Sequence, residues 1–295
     1  MIRSSYHPVS DRSDRVSAAR VFRAFTAVWL FSITALQAQE FRSDSCFAPS
    51  LGRFVHVSVL LPRGFDQARK YPGLLLLHGH GGKNTDWRTF AKLPESLGDI
   101  PLVIVMPDGD NSWYVNSITD PANRYEDLLL DDLVRFGAIR YRIDTLRCSI
   151  GGLSMGGFGA LNAGLRHPER FRFIIALSAS LDVPAGIPDL ARNKREGLRP
   201  SLVTAFGADS SAFWAGHDPF LLTRTLPAHP PYLYLANGIQ DEFAGRHPLY
   251  RAFADSLRAR GWPYEYHETP GRHNWEFWGR EIGPALLRLR EILAF

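Results

Sequence analysis

The sequence predicts an α/β protein built on one doubly wound, mostly parallel sheet. Continuous apolar runs of strand length, at 73–78 and 100–107, are typical of strands covered on both faces. Between such runs lie stretches in which apolar residues recur at helical spacing. A chain in which strands and helices alternate packs as a parallel sheet with helices on its faces. The 295 residues are enough for one large domain of this kind.

The first two strands are predicted to form an antiparallel pair. Residues 54–62 alternate between apolar and polar side chains, as a half-exposed strand does, and residues 41–49 are predicted to pair with them. The predicted elements that follow are a turn at 62–66, the strand 73–78, a helix at 87–98, the strand 100–107, a helix at 128–139, a strand leading into the glycine-rich stretch 151–160, strands at 171–180, 232–237 and 264–268, and helices at 250–260 and 275–293.

One segment, 181–226, lacks a strong strand signal and contains several prolines and aromatic residues. We interpret it as a partly helical excursion over the C-terminal edge of the sheet, where folds of this class bind ligands.

The N-terminal 38 residues have the three parts of a secretory signal peptide. A segment that contains arginines ends at Arg23, an uncharged apolar run covers 24–36, and small residues occur at Ala35 and Ala38. The run is shorter than the roughly 20 apolar residues that span a membrane. We therefore expect a signal peptide at 1–38, one domain at 39–295, and a secreted or periplasmic protein. An uncleaved anchor or a misassigned start codon is the alternative.

The formal net charge of +4 is concentrated near the N-terminus. Residues 1–38 contain five of the 34 basic residues and two of the 30 acidic residues, which leaves 29 basic and 28 acidic residues, a balance of +1. Such a body has no electrostatic reason to bind nucleic acid or an acidic membrane. We expect no stable membrane association after signal cleavage, and the sequence does not specify an oligomeric state.

The two cysteines could pair in an oxidising compartment. Cys148 is predicted on the buried strand before the glycine-rich stretch, whereas Cys46 is predicted on a peripheral strand. We therefore expect two separate thiols, with a disulfide as the alternative.

The stretch Gly152-Leu153-Ser154-Met155-Gly156 lies between a predicted strand and a predicted helix of small residues. This is the context of a nucleophile elbow, a strained turn that raises a serine hydroxyl above the edge of the sheet. A Cβ two residues before or after the serine would collide with neighbouring backbone, so both positions require glycine. Ser154 is the candidate nucleophile; a plain glycine-rich turn before a helix is the alternative.

A serine hydroxyl needs a base to remove its proton, and the base needs a carboxylate to orient it. After a nucleophile elbow the partners follow in the order acid, then histidine, each on a loop beyond a later strand. Asp241 follows the predicted strand 232–237, and His273 follows the last one. Glu242 and Asp182 are alternative acids, Asp241 could be an ordinary turn residue, and His273 could be a solvated loop residue.

An oxyanion hole needs two backbone N–H groups aimed at the oxygen of the tetrahedral intermediate. One comes from Met155, the residue after the nucleophile, and the other from the loop after the third strand, here residues 78–82. The alternative for this loop is a plain glycine-rich turn. His78 and His80 could ligate zinc, but the segment offers no third ligand. We expect neither a metal nor a cofactor.

The sequence resembles the esterase D / feruloyl esterase / antigen 85 group of α/β-hydrolases. The resemblance lies in residues 74–82, 106–114, 151–160, 238–241 and 270–278. It implies an α/β-hydrolase fold and the triad Ser154, Asp241 and His273. It also implies that His80 and Met155 are the oxyanion donors, each through its backbone N–H.

The resemblance leaves the substrate less specified. Residues 274–278 are more similar to the feruloyl and acetyl esterase members, and Trp113, Tyr114 and Trp214 could line an acyl or aromatic pocket or be core aromatics. We predict a serine carboxylesterase that hydrolyses short-chain acyl, acetyl-sugar or feruloyl esters through an acyl-enzyme. Acyl transfer to a sugar or lipid alcohol is one alternative, and a non-catalytic binding module is another.

Overall fold

The computed structural model describes residues 38–189, 195–209, 211–242 and 246–294. The predicted signal peptide lies outside them except for its last residue, Ala38. Within the described part of the chain, no helix is long and apolar enough to span a membrane. Residues Leu36–Phe295 cluster as one compact unit.

Eight strands form one sheet in the order β1-β2-β4-β3-β5-β6-β7-β8. β1 pairs with β2 and β2 with β4 in antiparallel fashion, and every other pairing is parallel. This arrangement confirms the predicted doubly wound, mostly parallel sheet and its N-terminal antiparallel pair. The strands are β1 Glu40–Ala48, β2 Arg53–Leu61, β3 Tyr71–Leu77, β4 Val103–Pro107, β5 Ile143–Leu153, β6 Phe173–Leu177, β7 Tyr232–Gly238 and β8 Tyr264–Thr269.

The helices connect the strands and cover both faces of the sheet. In chain order they are α1 Asp86–Phe90, α2 Leu93–Leu97, α3 Tyr125–Asp127, α4 Leu133–Tyr141, α5 Met155–Arg166, α6 Arg199–Phe206, α7 Ser211–Ala215, α8 Pro219–Leu222, α9 Arg246–Ala259 and α10 Trp275–Leu293. A π-helical turn at Leu128–Asp132 joins α3 to α4, and short 3₁₀ turns lie at Ile187–Asp189 and Glu196–Leu198.

The helix predicted at 87–98 is instead two short helices, α1 and α2. Pro94 stands at the start of α2, where its missing N–H costs nothing. A continuous helix would place the proline ring against the carbonyl of Phe90, so α1 ends there and Ala91 adopts an extended conformation.

Two apolar layers sandwich the sheet because alternate residues of each buried strand point to opposite faces. Leu74 and Leu76 pack into the layer under α1, α2 and α10, whereas Leu75 and Leu77 pack into the layer under α4, α5 and α9. Cys46 and Cys148 are free thiols, and both are buried.

The predicted excursion at 181–226 contains α6, α7 and α8 and no strand within its described residues. Its α6 lies close to the loop after β3, since Ser201 Oγ and His80 Nε2 are 3.1 Å apart. With both faces of the sheet covered by helices, the loops at the carboxyl ends of the strands are left to form a site.

Candidate active site

The turn between β5 and α5 holds Ser154 in a strained conformation. Its φ of 52° and ψ of −114° lie in a region that residues other than glycine rarely adopt. The Ser154 N–H donates to the carbonyl of Leu177 at 2.9 Å, and the Ser154 carbonyl accepts from Phe158 N–H at 3.0 Å. These bonds hold the serine between strand and helix despite the strain.

Two glycines allow this turn to form. A Cβ on Gly152 would lie 2.6 Å from the backbone of Gly156, and one on Gly156 would lie 2.5 Å from the carbonyl oxygen of His78. Both clashes are with backbone, which cannot move aside cheaply, so any side chain here would displace β3 or α5.

The loops after β7 and β8 bring an acid and a histidine to the serine. His273 Nε2 lies 2.9 Å from Ser154 Oγ, and His273 Nδ1 lies 2.9 Å from Asp241 Oδ2. The Asp241 side chain is fully buried and that of His273 is 10% exposed. Burial strengthens both hydrogen bonds because water does not compete for them.

The other acids that the sequence offered lie elsewhere. Glu242 Oε2 accepts from the backbone N–H of His273 at 3.4 Å. Asp182 is paired with the guanidinium of Arg195. Asp241 is therefore the carboxylate that contacts the His273 ring.

Backbone contacts fix the acid-bearing loop to the histidine-bearing loop. Gln240 N–H donates to the carbonyl of Gly271 at 2.9 Å, and Gly271 N–H donates to Gln240 Oε1 at 2.7 Å. On the other side of the ring, the indole of Trp278 meets the imidazole of His273 edge to face at 5.0 Å. The imidazole is thus held by hydrogen bonds at both its nitrogens and by packing against Trp278.

The backbone N–H groups of His80 and Met155, both near the serine, have no hydrogen-bond partner among the described residues. Met155 is the first residue of α5, so its N–H has no intrahelical partner. Gly79 lies against the serine, since a Cβ on it would be 3.6 Å from Ser154 Cβ. The two sequence-predicted donors therefore come from the two backbone segments that flank the nucleophile.

His78 anchors this loop and faces away from the cavity. Gly109 N–H donates to His78 Nε2 at 2.9 Å, so the proton is on Nδ1, which donates to the carbonyl of Gly79 at 2.7 Å. Burial lowers the pKa of His78, which keeps the ring neutral. Among the described residues there is no group of three or more potential metal ligands at His78 and His80 or elsewhere.

A three-residue hydrogen-bond network links the excursion to the same loop. Ser201 Oγ donates to the carbonyl of Leu198 at 2.9 Å, so it accepts from both the Trp113 indole N–H and His80 Nε2, each at 3.1 Å. The side chain of His80 is thereby fixed by α6, and His80 is one of the residues that line the cavity described next.

A cavity of about 400 Å³ opens beside Ser154. Trp113 is one of the residues that line it, which a role in substrate binding requires. The residues that line it are Gly79, His80, Gly81, Gly82, Asp86, Trp113, Leu153, Ser154, Ser180, Leu198, His273, Trp275 and Trp278.

The other two aromatic candidates do not line this cavity. Tyr114 is completely buried, and its hydroxyl donates to the carbonyl of His78 at 3.2 Å. Trp214 packs against the core, and its indole N–H donates to the carbonyl of Phe206 at 2.8 Å. Both are structural aromatics, because an indole or phenol that satisfies its polar atom on backbone packs well in a core.

Sequence reasoning missed Asp86, Trp275 and Trp278 as cavity residues. The two tryptophans follow His273 at the start of α10, so helical spacing beyond the histidine could have placed them. Asp86 carries no such signal, because its placement depends on how α1 packs against α10.

Comparison with known proteins identifies related chains. The family model described as "Putative esterase" matches residues 48–289. An acetyl esterase of Caldicellulosiruptor saccharolyticus is 31% identical over 219 residues, which cover 72% of this chain and 80% of the relative. The diacylglycerol acyltransferase/mycolyltransferase Ag85A of Mycobacterium leprae is 24% identical over 275 residues, covering 83% of this chain and 81% of the relative.

Solved structures show the same architecture. The fluorophosphonate-binding serine hydrolase F of Staphylococcus aureus superposes with a TM-score of 0.73 and 25% identity, over 85% of this chain and 98% of that one. A ferulic acid esterase superposes with a TM-score of 0.70 and 22% identity, over 87% and 99% of the two chains. The second likeness concerns the fold alone.

Proposed function

The chain belongs to this esterase family and has the α/β-hydrolase fold, and we propose that it is a serine carboxylesterase whose catalytic triad is Ser154, His273 and Asp241. The observation that supports the triad is the pair of 2.9 Å contacts that join the three side chains in series. A series of this order and spacing is what nucleophilic serine catalysis requires.

In the first step, His273 Nε2 accepts the proton of Ser154 Oγ as this oxygen attacks the ester carbonyl carbon. The imidazolium that forms is stabilised by Asp241, which accepts a hydrogen bond from His273 Nδ1–H. The electron pair of the carbonyl moves onto its oxygen. His80 and Met155 donate their backbone N–H groups to that oxyanion, and losing one such donor costs about 3 kcal/mol in the transition state.

The intermediate then collapses to an acyl-enzyme. The bond to the alcohol oxygen breaks, and His273 gives its proton to the leaving alcohol. In the second half of the reaction, His273 takes a proton from water while the water oxygen attacks the acyl carbon. The bond from that carbon to Ser154 Oγ then breaks, and His273 returns the proton to Ser154 Oγ. Residues that line the cavity, Trp113 among them, hold the substrate and then the acyl-enzyme during the two halves of the reaction. We propose that the substrates are short-chain acyl, acetyl-sugar or feruloyl esters.

The test is turnover of p-nitrophenyl acetate and butyrate. Ser154→Ala removes the attacking oxygen, so kcat should fall by about 10⁶. Ser96→Ala, a serine of α2 outside the cavity, is the matched control and should keep the wild-type rate. Equal rates in wild type and Ser154→Ala would refute the assignment.

Acyl transfer to a sugar or lipid alcohol is the second candidate, favoured by the similarity to the acyltransferase Ag85A. It differs from hydrolysis only in the acceptor of the acyl group. Product analysis in the presence of glycerol or trehalose decides between them: predominant free acid supports the esterase, and predominant acylated alcohol supports the transferase.

We also propose that residues 1–38 are removed during export and that 39–295 form the mature, secreted or periplasmic enzyme. The charge pattern and apolar run of residues 1–38 support this. The intact mass of the protein recovered from periplasm or medium tests it. A mass that still includes the first 38 residues would contradict the proposal.

A further inference from the structure

The cavity beside Ser154 has an uneven distribution of charge. Among the described residues that line it, Asp86 is the only carboxylate, and none of them is a lysine or arginine. The nearby His80 supplies no positive charge at neutral pH, since burial lowers its pKa. The side chains that line the cavity therefore contribute net negative charge.

The contacts of Asp86 leave one of its oxygens available. Oδ2 accepts from the backbone N–H of Lys83 at 3.1 Å and lies beside Gly82, where a Cβ would be 2.6 Å away. Oδ1 has no hydrogen-bond partner among the described residues, and no described basic side chain forms an ion pair with this carboxylate. Asp86 is half-buried, so a charge in the cavity would be only partly screened from it.

Packing of α1 fixes this carboxylate relative to the catalytic histidine. Trp87 packs edge to face against Trp275, with the ring centroids 5.2 Å apart. The indole N–H of Trp87 donates to the carbonyl of Leu77 at 3.0 Å. Trp275 in turn meets Trp278 at 5.3 Å, and Trp278 packs on His273. Asp86 is thus the first residue of a helix held in place against the elements that hold the imidazole.

Three indoles complete the wall, those of Trp113, Trp275 and Trp278. Aromatic faces attract cations through their quadrupoles, and a carboxylate attracts them by charge. An anion in the cavity is repelled by the charge of Asp86.

We propose that Asp86 is a specificity-determining residue that makes the cavity accept esters with a cationic or neutral group close to the reacting bond and reject those with an anionic group there. This rests on the proposed function, because it assigns the selectivity of the site that contains Ser154. Repulsion by Asp86 also favours release of the carboxylate product after each turnover.

The test compares three acetate esters of similar size by titrating the acid released: acetylcholine, its neutral isostere 3,3-dimethylbutyl acetate, and 3-acetoxypropanoate. In Asp86→Asn, kcat/KM should fall about tenfold for the cationic ester, rise about tenfold for the anionic one, and stay within about threefold for the neutral one. The asparagine oxygen can still accept the Lys83 N–H, so the variant should melt at the wild-type temperature. Glu95→Gln on α2, a charge removed outside the cavity, is the matched control.

Three results would overturn the proposal. If all three esters change by the same factor in Asp86→Asn, or if Glu95→Gln reproduces the pattern, Asp86 does not select by charge. A second measurement needs no variant: in wild type, the preference for acetylcholine over 3-acetoxypropanoate should shrink as salt rises from about 20 to 500 mM, and a preference independent of salt would contradict the proposal. If wild type fails to hydrolyse even the neutral ester faster than Ser154→Ala, the proposed function fails instead.

Discussion

At the scale of single residues, two glycines give the backbone of the Ser154 turn its clearance, and Trp113 forms part of the cavity wall beside it. Gly152 and Gly156 are required by backbone clashes that the motif itself encodes. An aromatic side chain, by contrast, serves equally well in a core or in a pocket wall, and sequence does not distinguish the two uses. Trp113 lines the cavity, whereas Tyr114 is fully buried beneath the same loop.

The proposed role of Asp241 leads to a prediction that separates it from the neighbouring Glu242. Asp241→Asn should lower kcat for p-nitrophenyl acetate by about 10⁴, because the amide no longer stabilises the imidazolium or fixes the tautomer of His273. Glu242→Gln should lose less than about tenfold in kcat, since the only hydrogen bond of Glu242 with a described residue is the one that it accepts from the backbone N–H of His273.

Steady-state kinetics of both variants, with melting curves to show that they fold, provides the measurement. A larger loss of kcat in Glu242→Gln than in Asp241→Asn would show that Asp241 is not the acid of the triad.

At the scale of elements, alternation of apolar runs predicted every strand, because a buried strand and a helix have different periods. What sequence did not predict was how elements meet. The helix predicted at 87–98 is divided before Pro94, and the position of Asp86 depends on how α1 packs against α10. The excursion touches the nucleophile helix and the loop after β3 through side chains distant in sequence, such as Ser201, and those contacts have no local signature.

One such contact makes the docking of the excursion sensitive to pH. Arg166 of α5 donates to His217 Nε2, so the ring is neutral and its Nδ1–H donates to the carbonyl of Phe213 at 2.8 Å. Asn162 Nδ2 donates to the backbone carbonyl of His217 at 3.1 Å. Burial, aided by the charge of Arg166, lowers the pKa of His217 to about 4.

The direction in which pH changes the free energy of unfolding follows from the pKa of His217 in the unfolded and the folded chain. In the unfolded chain this histidine has its ordinary pKa of about 6.5, while in the folded chain it is protonated only near pH 4. The free energy of unfolding should therefore fall as the pH falls from about 6.5 to about 4, by roughly 3 kcal/mol at most. His217→Gln removes the titrating group, so its melting temperature should depend less on pH in this window. Identical slopes for wild type and variant between pH 4 and 7 would contradict this account.

At the scale of the whole molecule, the parallel sheet explains why distant residues converge. Every parallel strand ends at the same edge, so the loops after β3, β5, β7 and β8 bring His80, Ser154, Asp241 and His273 together. The order of strands could be expected from the resemblance to α/β-hydrolases, and the family match over residues 48–289 agrees with it. The chemistry of the cavity could not be expected in the same way, because it depends on side chains that α1, α10 and the 3₁₀ turn at Glu196–Leu198 place there.

The most direct test of the central claim, that this edge of the sheet activates Ser154 as a nucleophile, is labelling with a fluorophosphonate followed by intact mass and peptide mapping. We predict one adduct per chain on Ser154, none in Ser154→Ala, and labelling at least about 100-fold slower in His273→Ala, where the base is absent. An adduct on another residue, or equal labelling rates in wild type and His273→Ala, would contradict the claim.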